Sequence, residues 1–89
     1  MAESNCPKKD ARGRWVAAWT PLGQGMVKLP EFFHMIAAMQ FAGPTQLHFE
    51  YPLGGAEDGK KDIQNKDEVF ASMRRDLEQL RSYLAEARL

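Results

Sequence analysis

The sequence predicts an α/β chain in which short strands alternate with helices, and two observations lead to that prediction. Residues 45–51 alternate between apolar and polar side chains, as a half-buried strand does. Two segments have helical patterns, over residues 30–40 and 67–87. Strands separated by helices pair in parallel through right-handed crossovers, and two strands alone are too few for a stable sheet. As an independent fold the pattern is therefore incomplete, whereas it is well formed as the last quarter of a β/α barrel.

The first 25 residues contain one segment with strand character. Residues 1–13 are polar and are expected to form a loop or an unordered start. Residues 14–20 (RWVAAWT) are apolar and bounded by Gly13 and Pro21, which favours an extended segment, although the two alanines weaken that prediction. Residues 21–25 have the composition of a turn.

The first helix is predicted from Pro30 to Gln40. Proline suits the first helical position, Glu31 favours the positive end of the helix dipole, and Gly43-Pro44 ends the helix. Its body, FFHMIAAM, is apolar almost all round, whereas a surface helix shows one apolar stripe. This helix needs cover on most sides, and a chain of 89 residues can hardly provide it.

The predicted strand over 45–51 separates two faces. Its apolar face carries Thr45, Leu47, Phe49 and Tyr51, and its polar face carries Gln46, His48 and Glu50. A polar connection over 52–65 follows, and the closing helix is predicted from Asp67 to Ala87. Its apolar stripe consists of Val69, Met73, Leu77, Leu80, Leu84 and Ala87.

Composition excludes several classes of protein. Twelve basic residues balance twelve acidic ones, so the chain has no electrostatic footprint for nucleic acid or for an anionic membrane. Cys6 is the one cysteine, which excludes an internal disulfide and a multi-cysteine zinc site. No apolar run approaches the roughly 18 residues that a membrane span needs. We therefore expect a soluble, cytoplasmic protein.

The polar face of the predicted strand holds the best candidates for chemistry. In an ordinary half-buried sheet, Gln46, His48 and Glu50 simply meet water. In a β/α barrel they point towards the barrel axis, and the carboxyl end of the strand is where such barrels place their active sites. His48 and Glu50 lie at that end, and both can bind a divalent metal or move protons.

The other candidates are weaker. His34, inside the apolar helix, is expected to be a packed or interfacial residue, and Cys6 an incidental thiol with no positioned base. The glycine pairs at 23/25 and 54/55 either expose backbone amides to a phosphate or are simply turns. Spacing alone does not determine a function.

Several motifs together resemble a known family. They are PLGQGMV at 21–27, a proline-led helix with Phe32-Phe33, FAGP at 41–44 and HFEYPLGGAE at 48–57. This combination resembles the C-terminal end of the sugar phosphate isomerase/epimerase family, the xylose isomerase-like TIM barrels. The resemblance implies that residues 14–25 are the loop after the seventh strand and 30–40 the seventh helix. It makes 45–51 the eighth strand and 67–87 the closing helix.

The resemblance also implies a chemistry. Family enzymes typically hold one divalent cation (Mn²⁺, Mg²⁺, Co²⁺ or Zn²⁺) between carboxylates and a histidine, and the glutamate of the eighth strand binds metal and moves a proton. The resemblance assigns Glu50 as catalytic residue and metal ligand, and it assigns His48 as a further metal ligand. Many members carry this glutamate two residues earlier, at the position of His48. Gln24 replaces the glutamate of a usual Gly-Glu-Gly turn, and Lys28 replaces a common acid.

The resulting expectation is a C-terminal fragment of a (β/α)8 TIM barrel, with a polar segment over 1–13 and the last βα units over 14–89. Such a fragment is a truncated gene product, a mis-called start or one half of a split protein. The complete enzyme would interconvert sugar or sugar-phosphate isomers, and we expect this chain alone to be inactive, missing its N-terminal barrel portion. The alternative is a small α/β interaction module that covers its apolar helix by forming a homo-oligomer or by docking on a partner chain.

Overall fold

The computed structural model describes all 89 residues and contains two strands and two α-helices. In chain order these are β1 (Glu3–Lys9), β2 (Trp15–Thr20), α1 (Leu29–Ala38) and α2 (Lys66–Glu86). A single turn of 3-10 helix spans Ala56–Asp58 in the long connection before α2.

Strands β1 and β2 form an antiparallel hairpin, which is the whole sheet. Asp10 closes its turn, because one carboxylate oxygen accepts hydrogen bonds from the backbone N–H groups of Arg12 and Arg14 at 2.8 and 3.0 Å. Gly13 follows at φ +75°, a conformation that residues with a side chain rarely adopt. The pairing runs from Glu3 opposite Thr20, at the open end, to the turn, with an irregularity between Asn5 and Lys8.

The two helices contact each other and form the larger of two small cores. Pro30 lies in the first turn of α1, as its fixed φ angle favours. Phe33 is 2% exposed and stacks on Tyr83 of α2 with ring centroids 6.0 Å apart. The larger core consists of Leu22, Leu29, Phe33, Leu80 and Ala87, and the smaller one of Tyr51, Leu53 and Val69.

The predicted C-terminal fragment of a (β/α)8 TIM barrel is wrong. A barrel fragment has parallel strands joined through helices, whereas both strands here precede both helices and pair antiparallel. The five-residue turn over 10–14 at the hairpin tip suffices for antiparallel pairing, and no crossover is needed. The chain is a small mixed α/β fold. Residues 3–9, expected as a loop, supply one strand, and the predicted extended segment over 14–20 supplies the other.

The predicted strand over 45–51 does not form. Its only backbone partner outside itself is Met1, whose carbonyl accepts from the His48 N–H at 2.6 Å and whose amine donates to the Gln46 carbonyl. A strand needs a neighbouring ladder, and one residue does not provide one. The alternation of faces nevertheless persists, since Tyr51 is buried and His48 and Glu50 are exposed.

The molecule leaves an unusual share of its surface open. Only 11 of 89 residues are buried, and the accessible surface is 6893 Å², against about 5,300 Å² for a compact monomer of this mass. The Cα radius of gyration is 15.2 Å, whereas a compact domain of this length has about 12 Å. The helices and the hairpin together therefore form a flat, open shape rather than a closed globule.

Candidate functional site

The structure brings together the two predicted site residues. His48 Nδ1 lies 4.0 Å from Glu50 Oε1, and both side chains are about half exposed. They share one side of the chain because the segment keeps a strand-like alternation, although it pairs with no strand. Their polar side faces solvent instead of a barrel axis. Gln46, the third predicted member of this group, is also exposed.

These two donors do not make the divalent site that the resemblance implies. No group of three or more histidine, cysteine, aspartate or glutamate side chains is arranged to hold a metal ion. Divalent cations of this kind take about six ligands, several of them from protein. His48 and Glu50 supply one donor group each, so we derive no metal-dependent step from them, and their predicted roles stay predictions.

A side chain of the chain itself binds the amides of the first glycine turn, at 23/25. Glu3 is 3% exposed, and its carboxylate accepts hydrogen bonds from the backbone N–H groups of Gly23 at 2.6 Å and Val27 at 3.3 Å. Of the two donors, Gly23 lies in the turn over 21–25 and Val27 follows it. The anion is a side chain of β1, which attaches the hairpin to the rest of the molecule.

The second glycine turn, at 54/55, binds a side chain of the chain in the same way. Glu57 Oε2 accepts from the backbone N–H groups of Leu53 at 2.8 Å and Gly55 at 3.1 Å. These bonds, that from Leu53 above all, hold the pKa of the Glu57 carboxyl below its usual value. In each glycine turn a glutamate of the chain itself therefore occupies amides that the sequence pattern offered to a phosphate.

Tyr51 and Asp76 form a buried polar pair that the sequence pattern did not predict. The Tyr51 hydroxyl and one Asp76 carboxylate oxygen are buried without a hydrogen-bond partner in the chain. Burial raises the pKa of Tyr51 to about 12, and the negative charge of Asp76 adds to the shift. Asp76 is a buried residue of α2, and neither Tyr51 nor Asp76 lines the groove beside α1, so we assign no substrate to this pair.

An open groove lies beside α1. Its volume is about 620 Å³. The groove follows from the apolar character of α1, which extends over more than one face of the helix. Phe33 is buried against α2, whereas Phe32 beside it is 40% exposed and lines the groove. Apolar side chains dominate its lining, among them Phe32, Phe33, Ile36, Phe41 and Leu84. His34 points elsewhere, with Nδ1 2.6 Å from the carbonyl oxygen of Pro30 one turn earlier.

The most exposed apolar element is β2. Trp15 is 62% exposed and Trp19 45%, and every residue from 15 to 19 is exposed. Lys9 lies over the Trp15 ring, with Nζ 5.0 Å from its centroid. None of the residues of β2 makes a backbone hydrogen bond outside the hairpin. Strand β2 therefore presents unpaired backbone groups and two large aromatic side chains to solvent, and we take it as the candidate functional site.

The sequence itself carries a signal for this surface. Two tryptophans four residues apart lie on the same face of a strand, because successive side chains alternate. The segment was predicted as extended, but its significance as an interface depends on β1, which was expected to be a loop. Cys6 of β1 is a free thiol with no role at the candidate site.

No protein-family model, curated protein or solved structure matches this chain. The resemblance to the sugar phosphate isomerases and epimerases therefore stays a prediction made from the motifs. Neither helix combines the length and the apolar character that crossing a membrane requires.

Proposed function

We propose that this chain is a small α/β interaction module without catalysis, whose partner is a second copy of itself. The observation that carries this proposal is the apolar surface left open. Twelve large hydrophobic residues are exposed, whereas eight hydrophobic residues form the buried core. Scattered exposed hydrophobic residues are ordinary in monomers, but here they outnumber the core.

The excess exposed area is about twice what one dimer interface of ordinary size covers on each chain. The excess over a compact monomer is about 1,600 Å² per chain, and a standard interface removes about 800 Å² from each partner. One homodimeric contact of ordinary size would therefore remove about half of the excess. A two-stranded hairpin is also marginal alone, so its pairing with further strands stabilises both the sheet and the complex.

Charge balance favours a second copy over a charged partner. The chain has no net charge, and β2 carries no charged side chain. Like-charge repulsion therefore does not oppose self-association, and no electrostatic steering towards an acidic or basic partner is built in.

Sedimentation equilibrium on the full chain, over a hundredfold range of concentration, tests the proposal. We expect a monomer–dimer equilibrium with a dimer of twice the 10.1 kDa chain mass. The thermal unfolding midpoint should rise with concentration, because association stabilises only the folded chain. A monomer at all concentrations, with a cooperative and concentration-independent unfolding transition, would contradict the proposal. Polydisperse aggregates without a defined dimer would contradict it as well.

A metal-dependent sugar isomerase or epimerase is the second candidate, favoured by the approach of His48 to Glu50. This activity needs metal ligands beyond the two that lie together here, so we expect no turnover from the isolated chain. The assay is ketose isomerisation and epimerisation with added Mn²⁺. Turnover above that of a Glu50→Ala variant would make this candidate the better one.

A further inference from the structure

The two outer edges of the hairpin differ in a way that selects one of them for pairing. The free edge of β1 contains Pro7, which has no N–H to donate, and ends in Lys8 and Lys9, with an irregular register between Asn5 and Lys8. Proline, lysine and bulges are the features by which native proteins block an edge strand. The free edge of β2 has none of these, since its sequence is WVAAWT. An edge without protection is open to another strand.

The faces of β2 differ as well. Thr20 lies opposite Glu3, and Glu3 is buried against the amides of Gly23 and Val27, so this face of the hairpin meets the body at its open end. Trp15, Ala17 and Trp19 lie on the other face by alternation. A second hairpin that pairs along β2 would extend this tryptophan-bearing face without displacing any contact of the body.

The spacing of side chains in β2 is self-complementary. When two identical antiparallel strands are related by a twofold axis, each residue lies opposite a residue of the second strand that is on the same face of the sheet. The residue at the axis lies opposite the same residue of the second copy. An axis at Ala17 sets Trp15 of each copy opposite Trp19 of the other, which gives two tryptophan pairs. The Ala17 residues of the two copies lie between these pairs. Aromatic cross-strand pairs of this kind stabilise antiparallel sheets. An axis at Ala18 would instead set Trp15 opposite Pro21, which cannot donate to the ladder.

We infer that β2 pairs antiparallel with β2 of a second copy about a twofold axis at Ala17, giving a four-stranded sheet with four tryptophans on one face. This interface rests on the proposed self-association and specifies where it occurs. The outer edges of the new sheet are the two β1 strands, which carry Pro7, Lys8 and Lys9. Because those edges are protected, assembly stops at two chains.

Disulfide cross-linking tests the position of the axis. In a Cys6→Ser background, Ala17→Cys places two thiols directly opposite each other, with Cα atoms about 4.5 or 5.5 Å apart, within the range of a disulfide. Ala18→Cys is the matched control, because residue 18 would face residue 16 of the second copy. The two cysteines at position 18 would be diagonal neighbours across the two strands, with Cα atoms about 7–8 Å apart.

We expect Ala17→Cys to form a disulfide-linked dimer under mild oxidation at least ten times faster than Ala18→Cys, measured on non-reducing gels and by intact mass. Equal rates, or faster linking of Ala18→Cys, would overturn the inference. Sedimentation of the Cys6→Ser protein separates the two proposals. A dimer in which Ala17→Cys does not cross-link refutes the interface and leaves self-association standing, whereas a monomer refutes both.

A charge substitution provides a second test that does not depend on thiol chemistry. Ala17→Lys would place two ammonium groups against each other at the axis. Because residue 17 is exposed in the monomer, we expect the variant to fold, which circular dichroism checks. We expect the dimer dissociation constant to rise at least tenfold. Gln24→Lys adds the same charge at an exposed turn position and should leave it unchanged. Equal dissociation constants for the two variants would contradict the β2 interface.

Discussion

Replacing Phe33 by alanine tests whether the helix pair forms the core described above. Phe33 is 2% exposed, lies in the larger core and stacks on Tyr83. Its truncation removes buried apolar area and leaves a cavity, which together cost about 3–5 kcal/mol for a buried phenylalanine. A chain of this length has a total stability of about 4–13 kcal/mol. The substitution should therefore remove a large fraction of that stability.

Phe32→Ala is the matched control, because the same side chain is truncated one residue earlier in the same helix. Phe32 is 40% exposed and contacts Phe33 edge-on, with centroids 5.4 Å apart. Its truncation loses part of the transfer energy and opens no cavity, so we expect a cost of about 1–2 kcal/mol. The effect on intrinsic helix propensity is the same in both variants.

The assay is urea unfolding followed by far-ultraviolet circular dichroism, with all variants at one protein concentration because association adds stability. We expect the midpoint of Phe33→Ala to fall well below that of Phe32→Ala. If Phe32→Ala costs as much as Phe33→Ala, or more, then α1 packs on α2 by a different face. The core assignment would then be refuted.

Three further substitutions test the buried polar groups and the closest backbone approach. Tyr51→Phe removes a hydroxyl that has no partner, so we expect unchanged or slightly higher stability at pH 7, and a loss above about 1 kcal/mol on urea unfolding would reveal a hydrogen bond. Burial raises the folded-state pKa of Tyr51 from 10.0 to about 12. The resulting contribution to stability is complete below pH 10 and is lost as the pH rises towards 12. The thermal unfolding midpoint of Tyr51→Phe should therefore depend less on pH between 10 and 12 than that of the unsubstituted protein. Glu3→Gln turns an amide nitrogen towards backbone donors and should cost about 1–3 kcal/mol by urea unfolding, whereas an unchanged midpoint would mean that this carboxylate does not hold the turn. Gly25→Ala places a methyl group 2.6 Å from the Ser4 carbonyl oxygen, so its thermal midpoint should drop while that of Gln24→Ala does not.

The parts of the fold that depend on local pattern could be predicted from the sequence. The helix predicted over 30–40 is observed at Leu29–Ala38, and that over 67–87 at Lys66–Glu86, because proline, glycine and apolar periodicity act within a few residues. Alternation over 45–51 predicted that Leu47, Phe49 and Tyr51 face the cores, although Thr45 of the same face is exposed. It did not predict a strand, because a strand depends on a neighbour that no local pattern specifies.

The parts that depend on distant contacts could not be predicted in this way. Residues 3–9 contain Pro7 and a lysine pair, which look like a loop until their pairing with β2 is known. Glu3 looks like a solvated acid in a polar segment, and only the folded chain brings it to the amide of Gly23. Asp76 is 1% exposed although it lies among charged residues of a surface helix. The candidate interface was missed for the same reason, since it needs the hairpin as well as its tryptophans.

The attachment of the hairpin through Glu3 has a mechanical consequence. The open end of the hairpin is clamped to the body by the Glu3 carboxylate and by the bond from the Met26 N–H to the Ser4 carbonyl at 3.1 Å. The tip over 10–14 extends away from these hydrogen bonds, so the hairpin is held at one end only. The amplitude of its thermal bending therefore grows with distance from Glu3. Amide hydrogen exchange should therefore be slowest near Thr20 and fastest near Trp15. Towards Thr20, β2 is stiffened by its own chain, and a strand that is already stiff loses less conformational entropy when another strand joins it.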